Sequence, residues 1–418
     1  MKAYLVGGAV RDELLKRPVA DRDWVVIGAT PEELKNKGFK QVGSEFPCFL
    51  HPETKDEYAL ARTERKAGRG HTGFVCEFGP EITLEEDLSR RDLTINAIAL
   101  SEEGQYIDPY YGREDLNTGI LRHVSDAFSE DPLRVLRVAR FAARYAPLGF
   151  TVHDSTMALM SKLVRNGEVS DLSPERVWKE LSRALTEAKP SVFFKVLRKC
   201  GALKVLLPEL DVLFGVPQPE KYHPEVDTGE HVMLAVDLAK ENFDSLIVTW
   251  AALVHDLGKG VTPKDKWPRH ICHEIKGVPL VEAVSNRLRV PKDFRTLGML
   301  VSEHHLRCHK LMEMKPRSIM RLLEAVDAIR RPQRLRVFVQ ACEADARGRL
   351  GLENKAYPQS AILENCGEAS RSIDIQPLLD AGLEGLKLAE QIRRLRITKI
   401  AKYMSSYRQM IDARERKR

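Results

Sequence analysis

Within its first 28 residues the chain sets a short apolar run, a pair of glycines, a helical pattern and a second apolar run in close succession: MKAYLVGGAVRDELLKRPVADRDWVVIG. Tyr4-Leu5-Val6 reads as a buried strand, and Gly7-Gly8 breaks it. Ala9 to Leu15 combines good helix formers with apolar residues at helical spacing. A strand, a glycine turn and a helix N-terminus together present backbone N–H groups to an anion, and glycine lets a phosphate approach closely. Asp21-Arg22-Asp23 then leads into Trp24-Val25-Val26-Ile27, a second strand. Residues two apart on a strand share a face, so Asp21 and Asp23 are expected side by side, toward whatever the glycine turn holds. Two carboxylates beside a phosphate cradle suit Mg2+ and the transfer of a phosphoryl or nucleotidyl group. Taken singly, a Gly-Gly turn and an Asp-x-Asp strand end are ordinary structural features. Their order within so short a span carries the reading.

The texture of the remaining chain divides once. From Met1 to about Val124, strand-like runs alternate with glycine turns and a few helical patterns. From Ser125 onward helical periodicity dominates, broken at Pro190, Pro208, Pro217-Gln218-Pro219 and Pro291. This predicts an α+β head followed by an all-α remainder. The boundaries expected are 1–124 for the head, 125–220 for a helical neck, 221–350 for a second functional domain and 351–418 for a helical tail. The tail is basic from Ile392 onward, which by itself describes a solvated helix face. At 418 residues the chain is long enough for two to four domains with sizeable cores. No apolar run reaches the 18 or so residues of a membrane helix, and Arg11-Asp12 ends the N-terminal one, so neither a membrane span nor a secretory leader is expected. The seven cysteines form no Cys-x-x-Cys pair, which fits a reducing cytoplasm and no disulfide framework. A net charge of +6 permits a nucleic-acid partner without demanding one.

Four further stretches bear on chemistry. Tyr58-Ala59-Leu60-Ala61 alternates weakly as a strand would, and a basic glycine-rich loop follows it through Gly73. Arg90-Arg91-Asp92-Leu93-Thr94-Ile95-Asn96 fits no single period, and its charged and amide residues are odd choices for a purely structural segment. Asp131, Arg134, Arg137 and Arg140 recur every three residues in a helix that Asp131 or Ser129 can cap and Pro132 can open. Such a row winds slowly across one side of the helix, and among Leu133, Leu136, Ala139 and Phe141 its charges would be costly to bury unpaired. A solvated face with local ion pairs is the plain alternative. In the helical half, His231 opens one helix, His255-Asp256 ends the apolar run Trp250 to Val254, and Asp345 lies downstream. A lone helical histidine is usually packed or solvated, whereas an adjacent His-Asp closing an apolar helix is harder to dismiss. Mixed imidazole and carboxylate ligands suit a transition metal better than Mg2+.

GGAVRD followed by DRDW, then RRDLTINAIA and EDPLR, resembles the class II tRNA nucleotidyltransferases and their poly(A) polymerase relatives, within the polymerase-β superfamily. The H…HD…D series resembles the HD phosphohydrolase superfamily. The resemblance covers nearly the whole chain. It implies a nucleotidyltransferase head in which Asp21 and Asp23 hold Mg2+ and are catalytic with Arg91. Nucleotide would be bound by Gly8, Arg11, Arg91, Asp131, Arg134, Arg137 and Arg140, with Asp131 and Arg134 reading the incoming base in place of a template. The loop after the Tyr58 strand would take part in the switch between nucleotides, and Leu172 to Leu181 would brace the preceding helices. In the HD part His231, His255, Asp256 and Asp345 would hold Ni2+ or a similar ion, with His273, His304 and His305 as candidates for extending that site. The implied activity is addition and repair of the C, C and A of the tRNA 3′ end from CTP and ATP, with pyrophosphate release. A phosphatase, 2′,3′-cyclic phosphodiesterase or 2′-nucleotidase activity in the HD part would accompany it. The chain is expected to act on tRNA in the cytoplasm as a monomer or homodimer, away from membranes. A poly(A) polymerase, a CC-only or A-only enzyme, a hydrolase with an RNA-binding head and a non-catalytic RNA binder remain open alternatives. No third catalytic carboxylate is evident.

Overall fold

The computed structural model describes residues 1–19, 21–42, 48–66 and 74–415. The basic glycine-rich segment 67–73 and the last three residues lie outside them. The chain forms two compact units, Met1–Leu206 and Leu207–Arg418.

The first unit opens on a mixed sheet. Its strands are β1 (Lys2–Val6), β2 (Asp23–Ile27), β3 (Lys40–Val42), β4 (Cys48–Leu50) and β5 (Glu57–Leu60). A separate hairpin, β6 (Arg62–Lys66) and β7 (Phe74–Phe78), precedes β8 (Ala99–Ser101) and β9 (Tyr106–Ile107). The sheet order is β3-β4-β5-β2-β1-β8-β9. β2 lies antiparallel to β1 and parallel to β5. Period-two alternation sends successive side chains to opposite faces. Val25 accordingly joins Val6, Leu88 and Ala99 on one side of the sheet, while Val26 joins Leu34, Phe49 and Leu60 on the other. Asp108 caps the helix Gly112–Thr118, accepting from the Gly112 and Arg113 amides at 2.7 and 2.9 Å, which makes DPYYG a structural turn.

Helices Leu133–Tyr145, Pro174–Ala184 and Pro190–Lys199 follow, the first packed against the other two. Leu133–Tyr145 is capped as its sequence predicts, with Asp131 accepting from the Leu133 amide at 3.1 Å. Ser173 stands at the cap of Pro174–Ala184 but its side chain makes no capping bond.

The second unit is helical among its described residues. Thr228–Phe243, Leu246–Val254, Lys292–His309, Pro332–Arg347 and Gln359–Arg371 contribute to one core that includes Val248, Leu297, Phe338 and Leu363. The long helix Gly385–Glu415 adds Ile400 and Met404 to that core, so the basic tail has an apolar stripe as well as its solvated face.

Candidate functional site

In the first unit a cavity of about 560 Å3 gathers residues from distant parts of the sequence. Gly8, Arg11, Asp23, Arg91, Asp131, Arg134, Arg137 and Arg140 all line it. This volume falls within the range of small-molecule sites. Gly7, at φ 70°, makes the turn after β1, and a Cβ there would lie 3.1 Å from the Arg91 guanidinium. The turn is therefore glycine for two reasons, its backbone and the arginine against it. Arg91 is gripped by buried Asp87 at 3.2 Å, and its Nε has no hydrogen-bond partner among the described residues. A partly exposed guanidinium that lines the cavity beside a glycine turn is equipped to meet phosphate oxygens.

Asp23 lines the cavity, but Asp21 does not. The strand begins at Asp23, so Asp21 precedes it and the same-face argument does not reach it. Asp21 is exposed yet close enough to act on its neighbour. Burial raises the Asp23 carboxyl above its ordinary range; Arg91 opposes this and the Asp21 charge adds to it. A carboxyl held in that state gains from a cation. A carboxylate that the sequence did not single out stands on the neighbouring strand, outside the cavity lining. Glu57 on β5 stands opposite Asp23 in parallel register and so shares its face of the sheet. Only the strand pairing reveals this.

The arginine row is neither solvated nor locally paired. Arg134 and Arg140 are buried and Arg137 is partly so. Arg137 and Arg140 find their partners far along the chain. Arg137 meets Asp92 at 2.7 Å, and Arg140 meets Glu180 at 2.7 Å and Glu187 at 3.3 Å. Arg134 donates to the Ala127 carbonyl at 2.6 Å. Asp131 is held at 2.8 Å by Arg176, a cavity-lining residue that the sequence reading treated only as part of a bracing helix. Burial alone would raise the Asp92 carboxyl, but Arg137 and the Asn96 amide outweigh it and hold it far below the usual range. Arg11 is fixed by Asp12 at 3.1 Å and by Asn96, and it lies over the Phe141 and Tyr145 rings at 5.2 and 5.4 Å. Asp92 and Asn96, out of place in a structural segment, thus tie the glycine-turn helix to the arginine helix.

The second unit holds a buried cluster of imidazoles and carboxylates. His231 Nε2 lies 3.1 Å from Asp345 and 3.8 Å from Asp256, and His255 Nε2 lies 3.2 Å from Asp256 and 3.7 Å from Asp345. All four are buried. Gly258 lets the turn after Asp256 press against the helix His273–Arg287, because a Cβ there would lie 2.0 Å from the His273 carbonyl. His273 therefore comes within 3.3 Å of Asp256, and His305 within 3.8 Å. His304 does not join them. It faces Glu303 instead, at 3.8 Å, since adjacent helical residues point about 100° apart. His309, one turn beyond His305, was missed and meets Asp345 at 2.7 Å. The four-residue spacing of His305 and His309 was the available signal.

Burial opposes charge on Asp256 and Asp345, yet His255 and Lys259 hold Asp256, and His309, His255 and Arg349 hold Asp345, well below the ordinary range. Burial pushes His305 down to about 3, so its ring is neutral. Asp256 Oδ1 and His255 Nε2 are buried with no hydrogen-bond partner among the described residues. Unpartnered buried polar atoms in an imidazole–carboxylate set fit a bound divalent ion. A cavity of about 700 Å3 opens beside them, lined by Lys259, His273, His309, Arg349 and Tyr357.

Comparison with known protein families gives three matches, the last of which runs into the stretch expected as a separate tail. Residues 3–122 match the poly A polymerase head domain, 149–214 a probable RNA- and SrmB-binding site of polymerase A, and 228–406 the HD domain. The multifunctional CCA protein of Ectopseudomonas mendocina is 55% identical over 407 residues, 97% of this chain and 99% of that protein. Its counterpart in Pseudomonas aeruginosa is 55% identical over 403 residues, 96% of this chain and 98% of that protein. Among solved structures, an apo CCA-adding enzyme has a TM-score of 0.66 at 19% identity, covering 97% of this chain and 91% of that one. The Thermotoga maritima CCA-adding enzyme complexed with tRNA has a TM-score of 0.62 at 19% identity, covering 98% and 91%. At these identities the structural likeness speaks for the fold.

Proposed function

The chain belongs to the family of multifunctional CCA proteins, and from that premise we propose that it adds C, C and A to the tRNA 3′ end from CTP and ATP, releasing pyrophosphate. The observation that carries this is the convergence of Asp23, Arg91, Asp131 and Arg134 on one cavity. Asp21 and Asp23 would hold Mg2+, with Glu57 beside them. When bound, Mg2+ supplies a lowered pKa for the attacking 3′-hydroxyl and neutralises triphosphate charge. Arg91 stabilises the charge that develops on the transferred phosphate, with Gly8 and Arg11 lining its path. Asp131 accepts from an exocyclic amine and Arg134 donates to a ring nitrogen or carbonyl. Cytosine and adenine offer an amine beside an acceptor at that edge, and uracil and guanine do not. At about 1–3 kcal/mol per readout pair, this discriminates against UTP and GTP. Arg176 and the Leu133 amide hold the Asp131 carboxylate in place. Arg137 and Arg140, committed to Asp92 and Glu180, position the helix and complete the positive lining.

The HD centre is proposed as a second, metal-dependent phosphohydrolase active on 2′- and 2′,3′-cyclic phosphates, with His231, His255, Asp256 and Asp345 holding Ni2+ or a similar ion. Such an ion supplies an acidified water and a Lewis acid for phosphate. Lys259 and Arg349, at the cavity wall, bind and orient the phosphate. The protein is read as cytoplasmic and as a monomer or homodimer. The described cysteines are free, which suits a reducing compartment; no helix of the described residues is long and apolar enough to cross a membrane.

Extension of a tRNA lacking its 3′ end, resolved nucleotide by nucleotide, tests the main reading. Two additions with CTP and a third only when ATP is also present are expected. A long run with ATP alone would make the chain a poly(A) polymerase. No extension, with phosphate released from a cyclic end, would move the principal function to the HD centre.

A further inference from the structure

We propose that Asp12 is a positioning residue for nucleotide binding, holding Arg11 and Arg144 as a pair of guanidiniums for the terminal phosphates of the incoming triphosphate. The proposal rests on reading the head cavity as a nucleotide site. It adds a residue that stands behind the cavity lining and a cation, Arg144, within it. Three observations carry it.

The first is the set of donors around Asp12. The residue lies in the helix Gly8–Leu14 that follows the glycine turn, and both it and Arg11 are buried. Its Oδ1 accepts from Arg11 Nε at 3.1 Å and from the Tyr145 hydroxyl at 3.1 Å. Its Oδ2 accepts from Arg11 Nη2 at 3.1 Å and from Arg144 Nη2 at 3.3 Å. Each oxygen thus joins the glycine-turn helix to the last turn of Leu133–Tyr145. A carboxylate that meets charged donors on both oxygens fixes their geometry as well as their energy.

The second is the edge by which Arg11 is held. A guanidinium can be gripped through Nε and one Nη, or through its two Nη atoms. Asp12 takes the Nε side. Nη1 donates to the Asn96 side-chain oxygen, and Nη2 stands 3.5 Å from where a Cβ on Gly8 would lie. These bonds leave one N–H on each Nη atom, beside the glycine turn and on a side chain that lines the cavity.

The third is Arg144. The three-residue row ends at Arg140, and Arg144 lies one turn beyond it, lining the same cavity with its side chain 30% exposed. Its Nη2 and that of Arg11 share Asp12 Oδ2, so one carboxylate sets two guanidiniums side by side and leaves the group net positive. Arg134 and Arg144 are about 15 Å apart along their helix. With the base at the Arg134 end, the pair stands at the far end of the ligand, where a triphosphate carries its terminal charge.

The test is calorimetric titration of the full chain with CTP and with CMP, which lacks the terminal phosphates. Asp12→Asn is expected to weaken CTP about tenfold, as loss of hydrogen bonds to charged groups does, and to leave CMP within about twofold. In tRNA extension the KM for CTP and for ATP should rise together while kcat changes little, the signature of binding felt equally in ground and transition states. Adding Asp12→Asn to Arg11→Gln with Arg144→Gln should cost nothing further, because the carboxylate acts through those two groups. Equal losses of CTP and CMP, a fall in kcat at constant KM, or a further loss in the triple variant would overturn the proposal. Should Asp12→Asn fail to fold, Tyr145→Phe removes one donor and keeps the ring. It should weaken CTP about threefold and spare CMP, and an unchanged CTP affinity would overturn the proposal. A wild-type chain that binds neither nucleotide would remove the nucleotide reading and the proposal with it.

Discussion

In the head cavity Arg91, Arg137, Arg140 and Arg176 are each held by a carboxylate, and cations outnumber acids around the opening. In the HD centre two buried carboxylates are ringed by imidazoles, and one Asp256 oxygen has no hydrogen-bond partner among the described residues. One site has rigid positive charge in excess and awaits an anion. The other sets carboxylates among imidazoles, a donor set that suits a cation. Each achieves order by a different route. The arginines are positioned before any ligand arrives, because buried acids tie them to neighbouring elements. His255, His273 and His305 each turn Nδ1 to a backbone carbonyl, whereas His231 lies between Glu225 and Asp345. The head should therefore keep its stability without ligand, and the HD unit should gain stability from metal.

The largest expected effect lies in the head. Arg91→Ala should lower the rate of nucleotide addition by about 10²–10³, as loss of a preorganised charge-stabilising donor does, and leave phosphate release at the HD centre unchanged. Parallel assays of both reactions on one preparation check this. Next is metal. Ni2+ at about a hundred times its dissociation constant should stabilise the HD unit by about 2.7 kcal/mol. A calorimetric transition of that unit that rises with Ni2+, and returns after chelation, would sharpen the comparison. A shift of the head transition as well would break it.

A smaller effect is expected at the Asp92–Arg137 pair. Breaking a buried pair costs about 3–5 kcal/mol, but the Arg137 side chain is 34% exposed, so Asp92→Asn should cost about 2 kcal/mol. The Asp92 carboxyl is depressed in the fold. Its contribution is therefore full above the unfolded value of about 3.9 and is lost as pH falls toward the folded one. The difference in Tm between wild type and Asp92→Asn should narrow below about pH 4. A difference that stayed constant would remove the ion pair from the account. The smallest effect is at Arg176. Arg176→Met should free Asp131 and reduce discrimination against UTP about fivefold, equivalent to about 1 kcal/mol, with little change in KM for tRNA.

Much of this was legible in the sequence where the signal is local. The strand–glycine–helix start, the cap at Asp131 and the HD dipeptide each declare themselves within a few residues. The three-residue spacing showed that Arg134, Arg137 and Arg140 share a ridge. It did not show their partners, because Asp92, Glu180 and Glu187 lie roughly 40 or more residues away and only helix packing brings them near. Glu57 was hidden for the same reason, since nothing local announces that its strand runs parallel to Asp23 in register. The strand-face argument for Asp21 goes astray in the opposite sense. Its spacing from Asp23 suggested a shared strand face, but the strand starts two residues later.

The central claim is that one chain carries two separate active centres. It is tested most directly by assaying Asp23→Ala and Asp256→Ala, each as folded protein, for nucleotide addition to tRNA and for phosphate release from a 2′,3′-cyclic end. The account predicts that Asp23→Ala abolishes addition and leaves hydrolysis largely intact, and that Asp256→Ala does the reverse. Loss of both activities in either folded variant would contradict it.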